Sequence, residues 1–159
     1  MFDQILGLPA HPLIIHFAVV LVPLLAAVDV AYALFPRWRA FLAWAVVALS
    51  VVAPGAVFMA KESGEHLKQA RFASADGSLA TKVATHESFA NPLLLSALGL
   101  GMAGLVLVVA TKPSRGSLDD RFGRPVTLAL SAVTMVLAAV VGYYCFRAGD
   151  SGARAVWGV

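Results

Sequence analysis

Four apolar runs, separated by polar or basic segments, set the pattern of this chain. They cover 13–35, 40–60, 92–110 and 125–146. A helix rises about 1.5 Å per residue, so about 20 residues cross roughly 30 Å of hydrocarbon. Each run is long enough. Strands are excluded as spans here, because an open strand leaves its backbone groups unpaired in lipid. The pattern predicts an all-α integral membrane protein, a single four-helix bundle over 1–159.

Local residues account for the boundaries. Pro12, Pro92 and Pro125 stand at predicted first helical positions, where a missing N–H costs nothing. Asn91 is suited to cap the third span. Pro36, with Arg37 and Arg39, ends the first, and Lys112-Pro113 ends the third. Spans one and two therefore form a tight hairpin. The segment 61–91 reads as a polar loop with helix-compatible pieces, such as 62–72. No internal repeat is evident.

Composition agrees with the pattern. The chain is 60% hydrophobic and 13% charged, against about 25% charged in a soluble domain. Mean hydropathy is +0.82. The formal net charge of +3 is scattered over span ends, where it meets lipid headgroups rather than nucleic acid. Cys145 is the single cysteine, so neither an intrachain disulfide nor a cysteine-rich metal site is expected. The N-terminus lacks the basic n-region of a cleavable signal. The short loops hold Arg37, Arg39, Lys112, Arg115, Arg121 and Arg124, and the stretch before the first span holds no Lys or Arg. Both termini are therefore expected outside the cytoplasm, in a bacterial inner membrane.

The candidate chemistry lies at the ends of the spans. An even number of spans brings His11, His16, His66 and His86 to one face, together with Asp150. His11 is expected to cap the first helix and His16 to lie one turn inside it, where ionisable groups tend to face the bundle interior. A haem b needs two facing imidazoles, which His16 or His11 with His86 would supply. Gly55, Gly99, Gly101 and Gly142 are candidates for admitting a flat ring. A metal ion would draw on His11, His16, His66, His86 and Asp150, and copper on Met59 or Cys145 as well. Glu65 beside His66, and Glu87 beside His86, offer carboxylates to orient a ligand. Asp29 and Glu65 are the proton-handling candidates. Asp29 alternatively bonds Thr127 or Ser131, or pairs with Arg124. Small residues in spans three and four suit close helix packing or a homo-oligomer seam. Trp38, Trp44, Tyr143, Tyr144 and Trp157 read as interfacial anchors.

These residues together resemble an uncharacterised bacterial family of four-span membrane proteins. The resemblance covers nearly the whole chain. Its marks are His11-Pro12 to His16-Phe17, then Asp29, Ser63-Gly64-Glu65, His86, and a C-terminal pattern matched by Gly149 to Ala153 and Val156-Trp157-Gly158. Asp150 stands where that pattern usually has histidine, which argues against a haem-ligand role at this position. Some relatives are joined to Rieske-type iron–sulfur domains, which implies redox chemistry at the membrane. Three readings follow. The first is a redox-associated protein holding haem b or a metal ion, with His16 and His86 foremost. The second is a non-catalytic accessory or scaffold subunit of a membrane complex. The third is a proton path between His16 and Asp29. No nucleophile–base pair or phosphate-binding loop points to a hydrolase or kinase.

Overall fold

A computed structural model describes residues 4–5, 8–71, 77–111 and 122–157. A two-residue antiparallel pair, β1 (Gln4–Ile5) with β2 (Leu8–Pro9), leads into α1 (Ala10–Leu34). A single 3-10 turn (Pro36–Trp38) joins α1 to α2 (Arg39–Arg71). Then come α3 (Gly77–Ser88), α4 (Ala90–Thr111) and α5 (Arg124–Trp157). Four helical stretches are long and apolar enough to cross a membrane, with α3 and α4 counted as one. The bundle is as expected, but several boundaries differ.

The expected polar loop 61–91 is largely helix. α2 continues beyond its apolar run to Arg71, and α3 fills much of the rest. The causes are local. Lys61 reaches Glu65 at 2.6 Å, an i,i+4 pair, and Lys68 reaches Glu87 at 2.6 Å, pinning α2 to α3. At the other end α5 runs to Trp157, so Asp150 lies on a helix, held by Arg154 four residues on. α4 begins at Ala90, so Asn91 lies inside it rather than capping it. His11 likewise lies within the first turn of α1.

Large apolar side chains face outward, as lipid rather than water requires. Phe41 is 74% exposed and Trp44 68%. The core is built of smaller units: Ala18, Val22, Leu25, Ala53, Val57, Ala97, Leu100 and Val141. α1 packs mainly on α2 and α5, and α4 mainly on the same two helices, so α1 and α4 face each other across the bundle axis.

The two halves repeat. An offset of 75 residues carries the buried face of α1 onto that of α3 and α4. His11, Ala18, Val22, Leu25 and Asp29 correspond to His86, Leu93, Ala97, Leu100 and Gly104. An offset of 88 carries Val46, Ser50, Ala53 and Ser63 onto Thr134, Ala138, Val141 and Ser151, all buried. The molecule is thus two helix hairpins around a pseudo-twofold axis along the bundle, the parallel kind of membrane repeat. Few identities survive; the pattern of burial does.

The close contact of α4 with α2 depends on Gly101. A Cβ there would lie 2.9 Å from the Ser50 carbonyl oxygen, a backbone atom that cannot swing away. At Gly99 the nearest atom is a Leu137 methyl at 3.7 Å. Gly101→Ala should therefore cost about 1–3 kcal/mol of stability, and Gly99→Ala little. Thermal melts of the two variants in the same detergent test this; equal melting temperatures would contradict it.

Candidate functional site

At the end of the bundle where α1 begins and α2 ends, two histidines meet near the axis. The His11 and His86 ring centroids are 6.5 Å apart, with the planes at 72°. His11 is carried by the first turn of α1, and His86 by the last turn of α3, just ahead of α4. Each ring is half-buried.

Both are fixed by the same device. His11 Nδ1 lies 3.0 Å from the Ala60 carbonyl oxygen and 3.1 Å from Ser63 Oγ. His86 Nδ1 lies 3.0 Å from the Ala148 carbonyl oxygen and 3.1 Å from Ser151 Oγ. Each serine hydroxyl donates to the same alanine carbonyl, at 2.9 Å for Ser63 and 3.1 Å for Ser151. A carbonyl oxygen only accepts, so each Nδ1 carries the proton and donates it. The serine oxygen, its own proton already given, is the second acceptor. In the neutral imidazole Nε2 is then left bare, with its lone pair available.

A glycine lets each ring lie against its helix. A Cβ on Gly64 would sit 3.1 Å from His11 Cε1, and one on Gly152 would sit 3.1 Å from His86 Cε1. The motif is Ala-x-x-Ser-Gly, once as Ala60 to Gly64 and once as Ala148 to Gly152. Sequence reasoning noted Ser63-Gly64 and Ser151-Gly152 separately but missed that they are copies. That repetition was the available signal.

The other candidates lie elsewhere. His16 is on the exposed side of α1, and its Nδ1 bonds the Pro12 carbonyl one turn back. That self-contained bond leaves the interior position to His11. His66 is exposed on α2. Asp150 holds Arg154 through both carboxylate oxygens, at 3.1 and 3.0 Å. Glu65 holds Lys61, and Glu87 holds Lys68, so backbone carbonyls rather than carboxylates orient the imidazoles. Met59 is 40% exposed. Gly99 and Gly101 pack on Leu137 and Ser50, and a Cβ on Gly55 or Gly142 would meet nothing within 4 Å, so none of the four borders a histidine. Among the described residues no group of three or more His, Cys, Asp or Glu could hold a metal ion.

Asp29 lies within the first span as expected, but without the expected bonds. Its carboxyl oxygens are buried and have no hydrogen-bond partner among the described residues. Thr127, one of its expected partners, bonds the Gly123 carbonyl instead.

A groove of about 390 Å³ adjoins the His86 side, lined by Lys82, Phe89, Arg147, Asp150, Ser151 and Arg154 among others. Arg147 lies over the Phe89 ring at 4.9 Å, a cation–π contact.

Residues 7–159 match the family described as predicted membrane protein (DUF2231), and the chain belongs to that family. Comparison with curated proteins and with solved structures gives no match.

The repeat predicts matched mutational effects. Gly64→Ala and Gly152→Ala should each force an imidazole aside and lower stability by similar amounts, on the order of 1–3 kcal/mol. Ser63→Ala and Ser151→Ala should each cost about 1 kcal/mol. Melting temperatures in detergent measure all four; a large effect in one half with none in the other would contradict equivalence of the halves.

Proposed function

We propose that the protein is a redox-associated membrane component whose His11 and His86 together ligate one transition-metal centre, a haem b iron or a single metal ion. The observation that carries this reading is the pair of imidazoles with both Nδ1 atoms committed to carbonyls, 6.5 Å apart between centroids. A metal about 2.0–2.1 Å from each Nε2 places two ring centroids roughly 6 Å apart. The pair is thus close to the spacing that a shared metal needs. Ligating histidines commonly donate the other ring N–H to a carbonyl, which fixes the tautomer and raises the basicity of the free nitrogen.

The donor set narrows the choice of metal. Two imidazoles are too few for a closed tetrahedral zinc site. They suffice for a haem iron, whose remaining ligands come from the porphyrin, or for copper, which imidazole suits. Bound there, such a centre would supply one-electron chemistry at one face of the bundle. The chain's own contribution is to hold both rings neutral and close together, each with Nδ1 committed to a carbonyl. Protonating both would bring two like charges together across 6.5 Å, against the repeat's design. Redox association is also in keeping with a family resemblance that includes Rieske-linked relatives.

The test is an absorption spectrum, oxidised and reduced, with elemental analysis of protein purified from a host supplied with iron and copper. One Soret-absorbing haem or one metal ion per chain is expected. His11→Ala and His86→Ala should each abolish it, while His16→Ala retains it. Thermal melts check that the variants are folded. A folded wild type with neither haem nor stoichiometric metal, even after loading with haem or copper, would overturn the reading. The histidines would then be clasps between helices in an accessory subunit.

A further inference from the structure

We propose that Asp29 is an exchangeable proton site inside the membrane, built into the axis of the bundle and independent of the histidine pair. Asp29 is 1% exposed, and both carboxyl oxygens lack a hydrogen-bond partner among the described residues. An ionised carboxylate in that state would carry a desolvation cost with nothing to offset it. The carboxyl therefore holds a proton at rest.

The space around it is built to measure. A Cβ on Gly104 would lie 2.8 Å from both Asp29 oxygens. Only glycine at that position of α4 lets the carboxyl reach the axis. The repeat makes the pairing pointed. Asp29 follows His11 by 18 residues, and Gly104 follows His86 by the same 18. Eighteen residues are five helical turns, so acid and histidine share one face of α1, about 27 Å apart. Asp29 thus faces its own counterpart across the axis, and that counterpart is glycine. Two acids would collide there, whereas one acid opposite glycine fits.

Among the described residues no charged side chain pairs with the acid. On its own helix the nearest titratable group is Tyr32, whose hydroxyl is bonded to Thr111 Oγ1 at 2.7 Å. From the start of α2, Arg39 directs Nε to the Tyr32 carbonyl at 3.3 Å. α4 presents the glycine; of the described buried polar groups of α5, Ser151 belongs to the histidine end, and Thr127 and Thr134 give their hydroxyl protons to the Gly123 and Leu130 carbonyls. Among the described residues the Ser50 hydroxyl of α2 is the other buried polar group without a partner. Ser50 packs against Gly101, three residues from Gly104 on the same helix.

The route of exchange follows from depth. Asp29 is seven residues from Pro36, where the turn begins, or about 10 Å along the helix. Toward the histidines the axis is closed by Val22, Leu25, Ala97 and Leu100. Toward the short loops it is packed as well, by Tyr32, Val46 and Leu107, but over a shorter distance, so the shorter route of exchange runs to the short-loop face. The proton path between histidine and Asp29 weighed from sequence is not what this geometry favours.

Infrared difference spectroscopy of the full chain in lipid, titrated with pH, tests this. The wild type should show a protonated-carboxyl C=O band that shifts in D2O, fades as pH rises and is missing from Asp29→Asn. Asp29→Asn preserves the shape of the site, so its fold is checked by melting. A hydrophobic carbodiimide should add across the same acid, the carboxyl O–H adding to C=N and rearranging to a stable N-acylurea with no leaving group. One adduct per chain, on the peptide containing Asp29, is expected in the wild type and none in Asp29→Asn. Absence of the band at every pH would overturn the proposal, and so would a band indifferent to D2O and pH. Loss of the band on adding sodium at constant pH would also overturn it, in favour of a cation site. His11→Ala should leave the band unchanged, which separates this proposal from the metal reading.

Discussion

Hydrocarbon offers no hydrogen bonds, and most of this structure follows from that constraint. Every polar side chain in the bundle must find its partner within the protein or remain neutral without one. Thr111, Thr134, Ser96 and Ser63 each return a hydroxyl proton to a carbonyl three or four residues back on their own helix. His11 and His86 each take a carbonyl already serving a serine. These arrangements spend the donors locally and leave one unspent acceptor on each imidazole. The chemistry proposed at the histidine end is a consequence of how the helix ends satisfy their own bonds.

The same constraint explains what the sequence disclosed and what it hid. The apolar runs, the bundle and the shared face of the histidine-bearing ends could be read from hydropathy alone, because length against bilayer thickness leaves few alternatives. Helix ends beyond the apolar runs could not. α2 persists to Arg71 and α5 to Trp157 because of side-chain pairs such as Lys61–Glu65 and Asp150–Arg154, which hydropathy does not register. Of the two histidines that open α1, the one that meets His86 is His11 rather than His16, for a geometric reason: one turn inside a helix is not the same as the inner face of that helix. His16 and His11 are five residues apart, which sets them roughly 140° apart. The structure gives the inner face to His11.

The internal repeat was hidden for another reason. Membrane cores are filled by interchangeable small and aliphatic residues, so Val22 matches Ala97, and Ser50 matches Ala138, without identity. The identities that stand out are those where chemistry fixes the residue: His11 with His86, and Ala-x-x-Ser-Gly in each half. Asp29 opposite Gly104 is the place where the halves had to differ, since the axis has room for one carboxyl.

The account rests on two neutral imidazoles of one tautomer, with both Nε2 atoms bare. Nitrogen-15 NMR of histidine-labelled protein, prepared free of metal and haem in lipid, reads this directly. His11 and His86, assigned by substitution, should each show a protonated Nδ1 and an unprotonated Nε2, and both Nε2 signals should move together when metal or haem is added. A protonated Nε2 on either ring of the metal-free protein, or a response from one ring alone, would contradict it.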